Sequence, residues 1–197
     1  MSYKNSIFTC KPIPNGHTWT IVSKFGRILK VAEEKYGQRD KLFTILGIEL
    51  NQLDYPQIWF PEHTNNIIIQ LTSDCLYDIN RAVYQLAHEA IHCLNPVLGE
   101  DTNYLEEGLA THFALEYTKL NGYGNWEVSN PAYAKALSLV EQIFKIEPQI
   151  IEKIKVIKGN LFFVERNDLL NINKNIPELL AEELTRKFNE RTVINNI

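Results

Sequence analysis

Several features are scarce in this chain, and each scarcity removes a class of function. No stretch approaches the roughly 18 consecutive apolar residues that a helix needs to cross a bilayer, so no membrane partner is expected. The opening residues, MSYKNSIFTCKPIPNG, contain no continuous apolar run of the secretory type, and a cytoplasmic location is the resulting expectation. Neither sign of charge is gathered into a block: 20 Lys and Arg stand against 24 Asp and Glu, for a formal net charge of −4. A nucleic-acid partner calls for a basic face, and the pattern offers none. There are three cysteines, Cys10, Cys75 and Cys93, too few and too scattered for a disulfide framework, and no two form a C-x-x-C pair. They are expected to be reduced, partly buried thiols. Internal repeats and low-complexity tracts are absent as well.

What is present is a chain of 197 residues, 45% of them hydrophobic, enough to build one well-packed core. A single domain over residues 1–197 is expected, with an N-terminal helix and sheet through residue 76, paired helices over 77–122 and a helical part over 123–197. SKFGRILKVAEEKYG, residues 23–37, spaces Phe25, Ile28, Leu29 and Ala32 as a helix would, with Ser23 to cap its start and Gly37 to end it. Lys41 to Leu50 reads as one or two strands, Gln57 to Phe60 as another, and NIIIQLT at 66–72 as the clearest strand. From about Asp78 the period turns helical through Ile79, Val83, Leu86, Ala87, Ala90, Ile91 and Leu94, until Asn95-Pro96 ends it. NPVLGEDT is a loop, a second helix runs from about Tyr104 to Leu120, and NGYGN closes it. Beyond Pro131 the chain reads as about three helical segments, with breaks near Pro148, Gly159 and Pro177. One helix, several strands and then helices to the end describe an α+β domain, with a small sheet beside a helical core.

The helix at 78–94 carries LAHEAIHCL, in which His88, Glu89 and His92 interrupt an apolar stripe. Residues four apart lie on one helix face, so the two imidazoles can reach one metal ion at about 2.0–2.1 Å each. Glu89 lies about 100° further round the helix, beside that face but not in line with it. It can therefore reach a water next to the metal without being a ligand, which is the mechanical content of H-E-x-x-H. Burying three polar side chains among Leu86, Ala87, Ala90, Ile91 and Leu94 is costly unless they have partners.

A catalytic zinc takes three protein ligands and leaves a fourth position open. After fourteen intervening residues His92 is followed by Glu107, within YLEEGLATHF. Capping chemistry separates it from its neighbour: Asn103 is a good N-cap and Glu106, three residues on, completes a capping-box-like pattern. That occupies Glu106 and leaves Glu107 to turn inward. Gly108 costs roughly 1 kcal/mol in a helix relative to alanine. Close approach to the histidine helix would account for it.

HEAIH followed by YLEEGLATHF resembles the gluzincin branch of the zincin metallopeptidases. There a second motif similar to W-L-x-E-G-x-A-x-x-F supplies the ligand glutamate; Leu105, Glu107, Gly108, Ala110 and Phe113 match it, and Tyr104 stands at the usual aromatic position. The resemblance covers about residues 66–117. It implies a zincin-like α+β fold, with a small, mostly antiparallel sheet packed on the HExxH helix and the glutamate-bearing helix, and with NIIIQLT as the edge strand that receives an extended peptide. It also implies one Zn2+ per chain held by His88, His92 and Glu107, a peptide or protein substrate, and Glu89 as the general base of peptide-bond hydrolysis.

Three departures from that pattern matter. Thr111 stands where many relatives carry a carboxylate that orients a ligand histidine. His112 replaces a common aromatic and is read as packing or as supporting a ligand. The gap between the motifs is shorter than in the large aminopeptidases, as in a compact member. Gluzincins also use a Tyr or His to stabilise the oxyanion, and Tyr123, Tyr133 and His112 are all open candidates for that role.

The remaining polar and aromatic residues are read as ordinary. His17 and His63 belong to solvated loops, Trp19, Trp59 and Trp126 to the core or its rim, and Glu182-Glu183 with Arg186 and Lys187 to an exposed helix face. Cys93 follows a ligand histidine and stands one turn from Glu89 on the same side of the helix. Two other classes stay open: a metal-binding regulatory or interaction module without turnover, and a structural α+β protein in which HEAIH has no metal. Oligomeric state is not legible.

Overall fold

Along Asn66–Thr72 the side chains alternate, so Ile67, Ile69 and Leu71 are buried while Asn66, Ile68 and Gln70 on the other face are half-buried. This is the clearest element of an α+β fold given by a computed structural model, which describes residues 5–98 and 102–188. Among the described residues the strands are β1 (Pro12–Ile13), β2 (Gly16–His17), β3 (Thr44–Asn51), β4 (Gln57–Trp59) and β5 (Asn66–Thr72). The helices are α1 (Ile21–Tyr36), α2 (Ile79–His92), α3 (Tyr104–Leu120), α4 (Pro131–Ile146), α5 (Ile150–Lys158), α6 (Arg166–Ile172) and α7 (Glu178–Thr185). No described helix is long and apolar enough to cross a membrane.

The chain divides into two compact units, one of Met1–Leu98 with Ala114–Trp126 and the other of Gly99–Phe113 with Glu127–Ile197. In the first unit the three-stranded sheet has the order β3-β5-β4. β5 pairs parallel with β3 and antiparallel with β4. The sheet is therefore mixed, with its longer pairing parallel, and not mostly antiparallel as expected. The physical reason is the connection between β3 and β5: residues 52–65 contain β4 and a one-turn helix, enough chain to return to the same end of the sheet. The expectation that NIIIQLT is an edge strand is overturned for the same reason. β5 is flanked on both sides, and the edges are β3 and β4.

α2 packs against α1 and against β5. Its start is fixed by Asp78, whose carboxylate accepts from the backbone N–H groups of Asn80 (3.1 Å) and Arg81 (3.0 Å). α1 begins earlier than its sequence suggests. Thr20, not Ser23, is the N-cap, and Ser23 Oγ accepts the Thr20 N–H at 2.9 Å from the third helical position. Burial of Ile21 draws the first turn upstream. The short β1–β2 hairpin was not foreseen; its only local signal is Asn15-Gly16, with Gly16 at φ 138°.

α3 contributes its first half to the second unit and its second half to the first. Asn103 Oδ1 accepts the Glu106 N–H at 2.9 Å, so Asn103 caps α3 as its sequence predicts. The helix ends where the Tyr123 N–H reaches the Thr118 carbonyl at 2.8 Å around Gly122, whose φ of 75° suits a residue without Cβ. In the second unit four helices follow, one more than the three segments expected, with the breaks at Pro148, Gly159 and Pro177 where the sequence sets them. α4 packs on α7, α7 on α6, and α6 on α5. Asn130 caps α4 by accepting the Ala132 N–H at 2.9 Å, and Pro131 occupies the first helical position, where no N–H is needed.

Candidate metal centre

Every residue from Gln85 to Leu94 is buried, so the last turns of α2 present no face to solvent. Within that stretch His88 is 8% exposed, Glu89 2% and His92 7%. A helix buried all round is ordinarily apolar all round. Three ionisable side chains at this depth cost several kcal/mol unless they meet charge or hydrogen-bonding partners. The His88 and His92 rings lie one above the other on α2, with centroids 5.1 Å apart and planes inclined at 59°.

The partner comes from α3. One imidazole nitrogen each from His88 and His92 and one carboxylate oxygen of Glu107 all lie within 4.8 Å of one another. Residues 103–111 of α3 are also buried throughout, which places the Glu107 carboxylate in the same kind of low-dielectric surroundings. Two imidazoles and one carboxylate form a donor set that suits an open catalytic zinc position, and other first-row divalent ions accept the same donors. The residues present therefore fit a metal ion.

The surroundings of Glu107 are specific. Thr102 Oγ1 donates to Glu107 Oε1 at 2.6 Å. Thr111 Oγ1 donates back to the Glu107 carbonyl at 2.8 Å, the bond that a helical Thr makes one turn on. Thr111 thus supports the backbone of the glutamate. Thr102 is the residue that sequence reasoning missed: it sat in a loop, and nothing in its local pattern distinguishes it from any hydroxyl before a helix.

The expected reason for Gly108 is corrected. A Cβ there would overlap the Ala136 carbonyl oxygen and stand 2.6 Å from Val140 Cγ2, so the helix that closes on Gly108 is α4, not the histidine helix. His112 lies outside the donor group and packs edge-on against Phe144, with ring centroids 5.2 Å apart. The Tyr123 hydroxyl receives a hydrogen bond from Lys24 Nζ at 2.7 Å, and Tyr133 packs on Phe188 at 4.9 Å between centroids. Cys93 caps the end of α2 and is fully buried. Burial, and then the nearby Glu89 carboxylate, push its thiol well above the usual thiol range. A thiol held protonated in this way is a poor nucleophile.

His17 and His63 are exposed, His17 on β2 and His63 at φ 54° in a one-turn helix. Trp59 Nε1 donates to Glu49 Oε1 at 3.0 Å, and Trp126 packs on Tyr84 at 5.0 Å. Trp19 is largely exposed. No protein-family model, curated protein or solved structure matches this chain.

Proposed function

We propose that the protein is a zinc-dependent metallopeptidase, with His88, His92 and Glu107 as metal ligands and Glu89 as general base. One observation carries the reading: the three donor atoms lie within 4.8 Å of one another, and a further buried carboxylate, Glu89, stands next to a ligand on the same helix. A structural site would have no use for that extra carboxylate. A zinc ion held there would supply Lewis acidity, acidifying a water and polarising a scissile carbonyl. Glu89 accepts the proton of the attacking water at its carboxylate and delivers it to the departing amine. Its burial keeps bulk water from competing for that proton.

A second reading is a metal-binding module without turnover, which would use the same donor group. The two readings part in one experiment, in which zinc-loaded protein is incubated with a mixed peptide library and the products are identified by mass spectrometry. Cleavage by the wild type, falling at least 10²-fold in Glu89→Gln with zinc content unchanged, is the expected result, since general-base catalysis contributes about 10²–10⁴-fold. Equal cleavage by Glu89→Gln overturns the assigned base. Bound zinc with no cleavage of any library supports the module.

A further inference from the structure

Thr102 stands outside the donor group yet touches it. Its hydroxyl donates to Glu107 Oε1 at 2.6 Å, inside the range of a charge-assisted O–H···O⁻ bond. The orphan backbone N–H groups of a helix's first turn ordinarily take their side-chain acceptor from the N-cap residue. Here that task falls to Asn103, whose Oδ1 accepts the Glu106 N–H while its Nδ2 donates to the Leu161 carbonyl at 3.0 Å. The Thr102 hydroxyl is thereby left to the carboxylate.

The backbone of Thr102 is held from the far end of the chain. The Phe188 N–H donates to the Thr102 carbonyl at 2.7 Å, and the Tyr104 N–H donates to the Arg186 carbonyl at 3.1 Å. Between them Asn103 and Lys187 form an antiparallel bridge. The Phe188 ring fixes this short pairing by packing on Tyr104 (5.1 Å between centroids) and on Tyr133 (4.9 Å). The Arg186 guanidinium lies over the Tyr104 ring at 5.3 Å.

We propose that Thr102 is the positioning residue of the metal centre: its hydroxyl holds the Glu107 carboxylate in the orientation that presents an oxygen to the metal, and the segment Arg186–Phe188 holds Thr102. The proposal rests on the reading of Glu107 as a ligand. A free glutamate loses rotamer freedom when it ligates an ion. A hydrogen bond to one carboxylate oxygen removes part of that freedom beforehand. Thr111 does the complementary job on the backbone through its bond to the Glu107 carbonyl.

The test is zinc affinity of the full chain, read by competition with a chromophoric chelator, together with the unfolding midpoint of each metal-free protein. Thr102→Val keeps the shape and removes the hydroxyl. It should bind zinc about 10–100-fold more weakly, the usual effect of losing a partner that orients a ligand, while Thr102→Ser stays within about threefold of wild type. Phe188→Ala should weaken binding in the same direction, and the double variant Thr102→Val/Phe188→Ala should be no weaker than Thr102→Val alone. If Thr102→Val does not fold, the comparison of Thr102→Ala with Thr102→Ser carries the same information. Thr102→Val binding zinc like wild type while Glu107→Ala loses it overturns the proposal and leaves Glu107 a ligand. Unchanged binding by Glu107→Ala instead removes the ligand reading itself, and this inference with it.

Discussion

Gly108 and Ala136 meet through bare backbone: a Cβ on Gly108 would overlap the Ala136 carbonyl oxygen, with the Ala136 carbonyl carbon 2.7 Å away. Both residues belong to the second unit, and the contact seats the first turns of α3, which carry Glu107, on α4. On an exposed helix, alanine would gain roughly 1 kcal/mol over glycine. Here the sign reverses. Gly108→Ala should lose about 1–3 kcal/mol, the usual cost of overpacking a core, measured by denaturant unfolding. A variant as stable as wild type would mean that α3 and α4 can part without penalty.

Purified wild-type protein should carry about one zinc per chain, as a three-ligand site implies. His88→Ala and Glu107→Ala should each abolish stoichiometric binding, because the donor group needs both helices. Glu106→Gln should keep its metal and cost about 1 kcal/mol or less, since the tie of Glu106 to the N-cap runs through its backbone N–H. Elemental analysis after dialysis decides this. Zinc lost from Glu106→Gln but kept in Glu107→Gln would exchange the two glutamates. Chelation should also lower the melting temperature of wild type, because an ion bound only to the folded state stabilises it by about 2.7 kcal/mol at a hundred times its Kd.

Thiol chemistry offers a check on burial. Cys10 is exposed, whereas Cys75 and Cys93 are buried. Burial is the main cause that pushes the Cys75 thiol up to about 11, while its contact with Thr72 pulls the other way. In a chromogenic disulfide assay the native protein should release one equivalent promptly, and all three of its cysteines should react only after denaturation. Fast reaction of a second thiol in the native state would show that one of the two buried positions opens.

Glu147, at the end of α4, gives a pH signature. Lys153 Nζ lies 2.7 Å from its Oε2. That bond, outweighing partial desolvation and assisted by the Gln149 N–H and the Asn173 amide, holds the carboxyl below its ordinary range. A carboxyl depressed in the folded state binds its proton more readily in the unfolded chain. Its stabilisation is therefore fully present above the unfolded pKa of about 4.3 and disappears as pH falls through the lower folded value. Wild type should be more stable than Glu147→Gln at pH 7, and the gap should close below about pH 4. A gap that stays constant across this range would mean that the charge on Glu147 contributes nothing.

Much of the candidate site is legible without coordinates because it is local. The 3.6-residue period alone puts His88 and His92 on one face and Glu89 beside it. Asn103, three residues ahead of Glu106, marks the start of α3 through a bond that needs only one turn of helix. The choice of Glu107 follows from that start. The span of α3, Tyr104–Leu120, and that of β5, Asn66–Thr72, are likewise readable from their own residues, since period and punctuation act within each segment.

What the sequence could not decide was everything set by residues far apart along the chain. The side-chain alternation of NIIIQLT marks a strand but says nothing about how many neighbours it has. Its central place follows from β3 and β4 closing on either side, which the length of the 52–65 connection permits and does not dictate. Gly108 signals a close approach without naming the partner, because any helix can fill the space a missing Cβ leaves; packing within the second unit made it α4. Thr102 has no pattern of its own. It touches Glu107 through a turn held by Phe188, 86 positions further on, and a hydrogen bond that depends on such a pairing exists only once the chain has folded.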